Sequence, residues 1–519
     1  MHLLVEVTYY CNEKTILYNI LNRITCSQEV SSFCIFGIFA VYESLFMIKP
    51  INQITVLKTC VIISLLLFLF NQGCNSLCGK EVEGDLDIAS STPVIHVVFT
   101  GEENGYLEPC GCSEKQLGGF SKRHTLINHL REEDGNLILL SLGDLTGKVG
   151  RQGEIKMETA LEALGLMGYD VHNIGEKDLD IGTDLLGYFS QISNVGFVSS
   201  NIKFTTPVLE IKPYVIKEVK TKETILKVGI LGVLSPELVG NYYHDMEVMD
   251  PVLSLKPLLK DLHDKTDILI LLSHAEMEES IKIAEACPDL NLIISGHMVD
   301  RPDLYLEKVN DTYIIPVGEK GKYVGKITLS SQQKQVGEGE HFDNLSPGIE
   351  ITPLDGKFED SSDITMLLKI YQQRLRDEEL LLQVIKSDPS SSLTFIGNDD
   401  CAVCHNKIYK HWEETGHASA YETLEKVEHE YDPECVECHV VGLNYFTGFE
   451  TIESTPGLKG VGCESCHGPG SDHKETQSKN YGRVDVGIER CGTCHNDEHS
   501  PNFEFEDYWQ KIKHPREGK

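Results

Sequence analysis

The sequence predicts a layered α/β domain followed by a small, mainly α-helical domain rich in cysteine and histidine. Three observations predict it. Between about 94 and 330, short Val/Ile/Leu runs alternate with amphipathic stretches. Beyond residue 396, the motif Cys-x-x-Cys-His recurs four times. A polar stretch and one amphipathic stretch, 331–395, separate the two regions. With 519 residues the chain has room for roughly three domains of ordinary size. A hydrophobic content of 41% suits buried cores. The balance of 46 Lys+Arg against 80 Asp+Glu gives a net charge of −34. So acidic a chain repels phosphate backbones, which disfavours nucleic acid as a partner.

The N-terminal region reads as a targeting segment. Residues 59–70 (TCVIISLLLFLF) form an apolar run of about a dozen residues, short for a bilayer span and suited to a signal-peptide core. Lys49 and Lys58 supply the positive flank. The small residue before Cys74 points to lipoprotein processing, although Asn71 stands where an apolar residue is usual. Residues 47–78 are therefore expected to be a signal peptide or a lipoprotein signal, the latter tethering the chain to a membrane through Cys74. Residues 1–46 read as an over-long start ahead of Met47. The rival reading is a second apolar segment, Phe33–Met47, interrupted by Glu43. Cys11, Cys26, Cys34, Cys60, Cys74 and Cys78 fall in this region and are expected to carry no chemistry of their own.

The α/β region is expected to carry eight strands, one for each apolar run. The runs are 95–101, 136–144, 171–175, 195–201, 228–234, 268–274, 290–297 and 313–318. Continuous apolar runs suit strands buried on both faces. Segments such as 155–168 and 276–287 read as helices between them, the pattern of a layered sheet. Function in such sheets collects beyond the carboxyl ends of the strands. Glu102, Asn104, Asp144, Glu176, His274 and His297 all arrive at such ends. Singly, each is an ordinary cap or turn residue. Together they make an oxygen/nitrogen donor set for a divalent metal.

The order of these residues resembles the calcineurin-like metallophosphoesterases, in particular their 5′-nucleotidase branch. That family carries Asp-x-His-Gly, Gly-Asp, Gly-Asn-His-Glu, a lone His and Gly-His-x-His. Here the series reads Glu102-Glu103-Asn104-Gly105, Gly143-Asp144, Gly175-Glu176-Lys177-Asp178, His274 and Gly296-His297-Met298-Val299. The resemblance implies a metallophosphoesterase-like sandwich with one metal site, formed by Asp144, Glu176, His274 and His297. The second site of the family would fall on Glu102, Asn104 and Val299, which lack both of its histidines. Lys177 stands in place of the leaving-group histidine. Two-metal hydrolysis needs both ions, so the resemblance implies a degenerate hydrolase. The family's nucleotide-binding C-terminal domain has no counterpart here.

Residues 108–119 (EPCGCSEKQLGG) depart from that family. Cys110 and Cys112 lie a short turn beyond the first strand. In an oxidising compartment they suggest redox chemistry, a soft-metal pair or a disulfide. Cys287 reads as buried packing.

Residues 331–362 read as a polar linker, and 363–386 as an amphipathic helix with Ser361 or Ser362 as N-cap. Over 396–519 the four motifs are Cys401/Cys404/His405, Cys435/Cys438/His439, Cys463/Cys466/His467 and Cys491/Cys494/His495. Cys-x-x-Cys-His is the attachment signature of c-type haem. One helical turn brings the two thiols to the two vinyl groups, and the next residue sets an imidazole as axial ligand. A single match would also suit half a zinc site, but four, each with its histidine, do not. Four porphyrins in so few residues must form much of the core. Six histidines remain for at most four distal positions: His411, His417, His429, His473, His499 and His514.

The segments CAVCHNKIYKHWEETGHASAYETL, DPECVECHVVGL, GVGCESCHGPGSDH and CGTCHNDEHSPNFEFEDYW resemble the tetrahaem cytochrome c-554 family. That resemblance implies a mainly α multihaem cytochrome domain with distal ligands at His417 and His473. His499 and His514 are the next choices, with His411 and His429 read as surface or supporting residues.

The readings combine into a periplasmic, or otherwise extracytoplasmic, c-type cytochrome that transfers electrons through four covalent haems. Its α/β domain would bind a metal, a small-molecule substrate or a partner, and redox proteins would be its partners. A carboxylate/imidazole set suits zinc, manganese and iron alike. Three alternatives stay open. The first is a metal-dependent phosphoesterase or 5′-nucleotidase-like hydrolase that carries haems. The second is an oxidoreductase acting on a small nitrogen or sulfur compound, at an open haem or at Cys110/Cys112. The third is a binding module with an inert α/β domain.

Overall fold

The structure is a computed structural model that describes residues 94–519, except 110–116, 206–209, 222–223, 241–242, 300, 303–305, 332–344, 388–392, 479–480, 482–486, 497–498 and 515–519. The expectations for residues 1–46, for 47–78, for the Cys74 anchor and for Cys110 and Cys112 lie outside the described residues. Among the described residues, no helix is long and apolar enough to cross a membrane.

Each of the eight apolar runs contains a strand. The strands are β1 Val94–Thr100, β2 Leu137–Ser141, β3 Val171–Asn173, β4 Gly196–Val198, β5 Ile202–Phe204, β6 Tyr214–Lys220, β7 Ile225–Leu234, β8 Met246–Val248, β9 Ile268–His274, β10 Leu292–Val299, β11 Glu307–Val309, β12 Thr312–Gly318, β13 Tyr323–Ser331 and β14 Leu345–Pro353. They form two six-stranded sheets, ordered β14-β13-β1-β2-β3-β4 and β11-β12-β10-β9-β7-β6, and a two-stranded β5-β8 ribbon. Pairing from β1 to β4 is parallel, as it is among β7, β9, β10 and β12.

The sheets pack face to face. Alternate residues, among them Val97, Phe99, Ile138, Leu140, Val228, Ile230, Ile270 and Leu272, fill the space between them. The intervening residues face outward under helices. On the first sheet, Val98 and Leu139 pack with α1 Phe120–Asp134, α2 Arg151–Met167 and α6 Ser362–Asp377. On the second, Leu231, Leu269 and Leu271 pack with α4 Pro251–Leu262 and α5 Met277–Ala286. Both faces of the central strands are covered, which is why their runs are apolar without alternation. A third helix, α3 Thr183–Ile192, follows β3.

The expected linker is corrected here. Residues 345–353 form β14, paired antiparallel with β13 over nine registers. Its Pro347, Gly348 and Pro353 disguise it, since Pro and Gly are tolerated at a sheet edge but read as turn residues. The helix that follows ends at Asp377 rather than 386 and gives way to a 3-10 turn at Leu380–Gln383. Ser361 is its N-cap. Ile364, Leu367, Leu368, Tyr371 and Leu375 belong to the first-sheet core, so this helix is part of the α/β domain.

The C-terminal region is mainly helical, in segments of 4 to 16 residues. Its apolar cluster is small: Leu381, Tyr421, Leu424, Val436, Val440, Val441, Leu443, Phe449 and Leu458. Glu464 supplies a polar pin. Its buried carboxylate accepts hydrogen bonds from the backbone N–H groups of Ile396, Gly397 and Gly470.

Candidate functional site

The six polar residues expected at strand ends meet at one edge of the α/β sandwich. Glu102 and Asn104 follow β1, Asp144 follows β2, Glu176 follows β3, and His274 and His297 lie at the ends of β9 and β10. Asp144, Glu176, His274 and His297 each offer a ligand atom within 4.8 Å of the others. Glu176 Oε2 lies 2.6 Å from His274 Nε2 and 3.2 Å from His297 Nε2, and the two imidazole nitrogens are 2.9 Å apart. Asp144 Oδ2 is buried and lies 3.5 Å from His274 Nε2 and 3.2 Å from Lys177 Nζ.

The donor set fits a divalent cation. His274 Nδ1 lies 3.2 Å from the Leu142 carbonyl; donating its proton there leaves Nε2 as the ligand atom, the usual support for a metal-binding imidazole. The electrostatics agree. Burial works to raise the Glu176 carboxyl, yet hydrogen bonds from His274 and His297 hold it far below the carboxylate range. Burial works to lower His274, yet Asp144 and Glu176 hold it well above the histidine range. The site is organised to hold positive charge.

Backbone strain marks the same loops. Glu102, Asn104, Asp144 and His297 all have φ between 52° and 58°, the left-handed region that is costly for non-glycine residues. Gly175 is required by close approach, because a Cβ there would fall 2.1 Å from Asp144 Oδ1.

Asp178 holds these loops together, a role no spacing argument assigns. Its buried carboxylate accepts from the N–H groups of Asp144 (2.8 Å), Leu145 (2.8 Å) and Gly175 (3.0 Å) and lies 3.3 Å from His172 Nε2. Burial pushes its carboxyl up, but His172 and the backbone donors outweigh that and hold it low. Asn173 ties the two sheets together beneath the site, donating to the carbonyls of Leu142, Val233 and Leu272. Both residues lie in stretches that the motif pattern marks only as a strand and a degenerate motif.

In the helical region, the motif helices end at or near their histidines. Cys463–His467 and Pro433–His439 stop at the histidine, and His405 breaks its helix with φ −116° and ψ 42°. Three imidazole pairs stand across from each other: His405 and His473 at 6.1 Å between ring centroids, His417 and His495 at 6.2 Å, and His467 and His514 at 6.1 Å. Each pair joins a motif histidine to an expected distal one. Two metal–nitrogen bonds of about 2.0 Å, with roughly 1.1 Å from each nitrogen to its ring centre, span about 6 Å. The separation of each pair therefore suits a single metal ion held by both rings.

Among the motif thiols Cys404 is exposed, whereas Cys401, Cys435, Cys438, Cys463, Cys466, Cys491 and Cys494 are half-buried. The reason is local. Cys404 follows Val403, which is 81% exposed, on the outer side of the helix Asn398–Glu413. Cys401, one turn earlier, faces inward to Cys463. Cys404 stays one turn from Cys401 and next to His405, as the attachment motif requires.

His439 differs from the other motif histidines. Its Nδ1 lies 2.6 Å from the Ala420 carbonyl, which leaves Nε2 free to ligate, and it belongs to none of the three pairs above. It borders a cavity of about 1930 Å³ whose lining includes Asn104, Lys156, Cys435, Cys438 and His495. His499, the remaining distal candidate, lines the same cavity. His429 pairs with Glu108 of the α/β domain at 3.2 Å, and His411 Nε2 is buried without a hydrogen-bond partner. Cys287 is buried, as expected of packing.

The two domains meet through the helix that carries the second motif. Lys156 Nζ lies 2.6 Å from Glu434 Oε2, and Gln152 donates to Asp432 at 2.8 Å.

Residues 400–468 match the family described as cytochrome c554 and c-prime. Cytochrome c-554 of Nitrosomonas europaea is 36% identical over 23% of this chain and 63% of its own length. The α/β region is similar to the UshA protein of Salmonella pullorum, 24% identical over 45% of this chain and 48% of that protein. A calcineurin-like phosphoesterase, YfkN from Bacillus subtilis, aligns with 55% of this chain and 98% of its own at a TM-score of 0.48 and 20% identity. The chain thus spans about half the length of its UshA relative and under two thirds of the cytochrome.

Proposed function

We propose that this chain is an extracytoplasmic c-type cytochrome with four covalently attached haems, fused to an α/β domain that holds one divalent metal and receives a small-molecule substrate. The observation that carries the reading is the set of three imidazole pairs at 6.1–6.2 Å, each joining a Cys-x-x-Cys-His histidine to a distant one. When bound, c-type haem supplies one-electron redox chemistry tuned by its axial ligands and its exposure. The chain's own residues do the rest. Cys401/Cys404, Cys435/Cys438, Cys463/Cys466 and Cys491/Cys494 anchor the groups. His405, His439, His467 and His495 would each ligate one haem, and His473, His417 and His514 would supply the second ligand to the haems of His405, His495 and His467. The Ser478 carbonyl accepts from His473 Nδ1 at 3.0 Å, and the Ser500 hydroxyl lies 2.9 Å from His495 Nδ1. Both contacts fix the ring and leave Nε2 for the metal. Haem attachment outside the cytoplasm supports the expected compartment, and redox proteins would be its partners.

A second reading has a specific observation behind it. His439 lines the large cavity and belongs to none of the three imidazole pairs, which favours an oxidoreductase acting on a small molecule at that position. Hydrolysis of the 5′-nucleotidase type is disfavoured, because the residues at the second metal position lack histidine ligands.

The test is the mass of the intact mature protein, matured in a host that attaches c-type haem, combined with a pyridine haemochrome count. Four thioether-linked haems per chain support the reading. Two or fewer, or haem lost on acid extraction, would overturn it.

A further inference from the structure

We propose that Lys177 is a resident second cation of the Asp144 centre, so that the centre takes one divalent metal ion and excludes another. The inference rests on the reading above that Asp144, Glu176, His274 and His297 hold a metal. Lys177 Nζ lies 2.6 Å from Asn104 Oδ1, 3.2 Å from Asp144 Oδ2 and 3.6 Å from Glu176 Oε1. An ammonium has three protons to give, and three oxygens surround this one. The same residue grips Asp144 a second time, because its backbone N–H donates to Asp144 Oδ1 at 2.9 Å. Asn104 is itself held in place, its N–H donating to the Asp144 carbonyl at 2.8 Å.

Asp144 therefore has positive charge on two sides. The imidazoles of His274 and His297 mark one side and the Lys177 ammonium the other. A second divalent ion could use only the hard oxygen donors left on that other side: Asp144, Asn104 and Glu102. It would have to displace the ammonium from two of them. An ammonium neutralises those oxygens but offers no open coordination position, so the centre keeps the charge of a two-cation site without a second Lewis acid. In-line displacement between two ions is then unavailable, and any chemistry at this edge runs on one metal beside a fixed positive charge.

The test is Mn²⁺ binding to the haem-loaded full chain, by equilibrium dialysis with elemental analysis and by electron paramagnetic resonance. Wild type is expected to bind one Mn²⁺ with an isolated six-line spectrum. Lys177→Met removes the charge and is expected to bind two, with an exchange-coupled spectrum. Lys177→Arg keeps the charge and is expected to stay at one. Two Mn²⁺ in wild type would overturn the inference, as would one in Lys177→Met. The wild-type count stands even if Lys177→Met fails to fold. No Mn²⁺ in wild type would sink the metal-site reading itself, and this inference with it.

Discussion

Replacing Glu434 by Gln should loosen the docking of the second haem-motif helix on the α/β domain. Glu434 immediately precedes Cys435. Its Oε2 lies 2.6 Å from Lys156 Nζ and its Oε1 3.4 Å from Lys148 Nζ. The Lys156 side chain is 9% exposed and that of Glu434 28%. Removing one member of a fully buried pair costs about 3–5 kcal/mol, because the other charge is left without a partner. Partial exposure of Glu434 and the oxygen retained by Gln reduce this to about 2–3 kcal/mol. At about 2–4 °C per kcal/mol for a domain of this size, the calorimetric transition should fall by roughly 4–12 °C. Lys156→Met alone should be destabilising too. The double variant should recover most of the loss, since an ion pair replaced on both sides is nearly neutral. The effect has a pH signature. Burial pushes the Glu434 carboxyl up, but Lys156 and Lys148 outweigh it and hold it below its ordinary 4.5. A carboxylate lowered by folding stabilises above its unfolded value and loses that stabilisation as pH falls through the folded one. The gap between wild type and Glu434→Gln should thus be full at neutral pH and close well below pH 4.5. A transition within about 1 °C of wild type, with no recovery in the double variant, would refute the reasoning.

Three further outcomes follow from the same geometry. His417→Ala, His473→Ala and His514→Ala should each convert one haem from low to high spin, read in the visible spectrum, while leaving the haem count at the wild-type value. Asp178→Asn should destabilise the α/β domain by about 2–4 kcal/mol, since one amide oxygen replaces a carboxylate serving three backbone donors. It should also lower metal retention measured by dialysis. Asp178 is held low in the folded chain, so this difference is present above about pH 4 and disappears as pH falls through the folded value. Gly175→Ala should abolish metal retention without touching the haems, because its Cβ would lie 2.1 Å from Asp144 Oδ1.

What was legible in the sequence follows physical lines. Strands buried on both faces announce themselves as apolar runs, so β1, β2, β9 and β10 and the polar residues at their ends could be read directly. Their division between two sheets could not, because a run such as 228–234 looks the same in either. The edge strand β14 is hidden by Pro347, Gly348 and Pro353, and α1 by the polar Arg123 and His124 on its buried face. Arg123 is buried because Glu103 pairs with it at 2.7 Å, a partner that local pattern does not reveal. Attachment motifs are local and were fully legible, but their burial was not: spacing alone does not set Cys404 on the outer side of its helix and Cys401 on the inner. Facing imidazoles are not local. His417 meets His495, and His467 meets His514, only through the tertiary fold. Asp178 acts through backbone N–H groups of two loops, and Lys177 through an oxygen on a third. Neither role leaves a periodicity or a spacing.

The central claim is a redox module in which three imidazole pairs would each close one iron. Low-temperature electron paramagnetic resonance of the oxidised full chain, with spins counted against haem content, tests it most directly. The account predicts at least three low-spin haems per chain, and one fewer in the His417→Ala background. A high-spin fourth haem would favour the oxidoreductase reading at His439, and four low-spin haems would decide for electron transfer alone. Two or more high-spin haems in wild type would contradict the imidazole pairs.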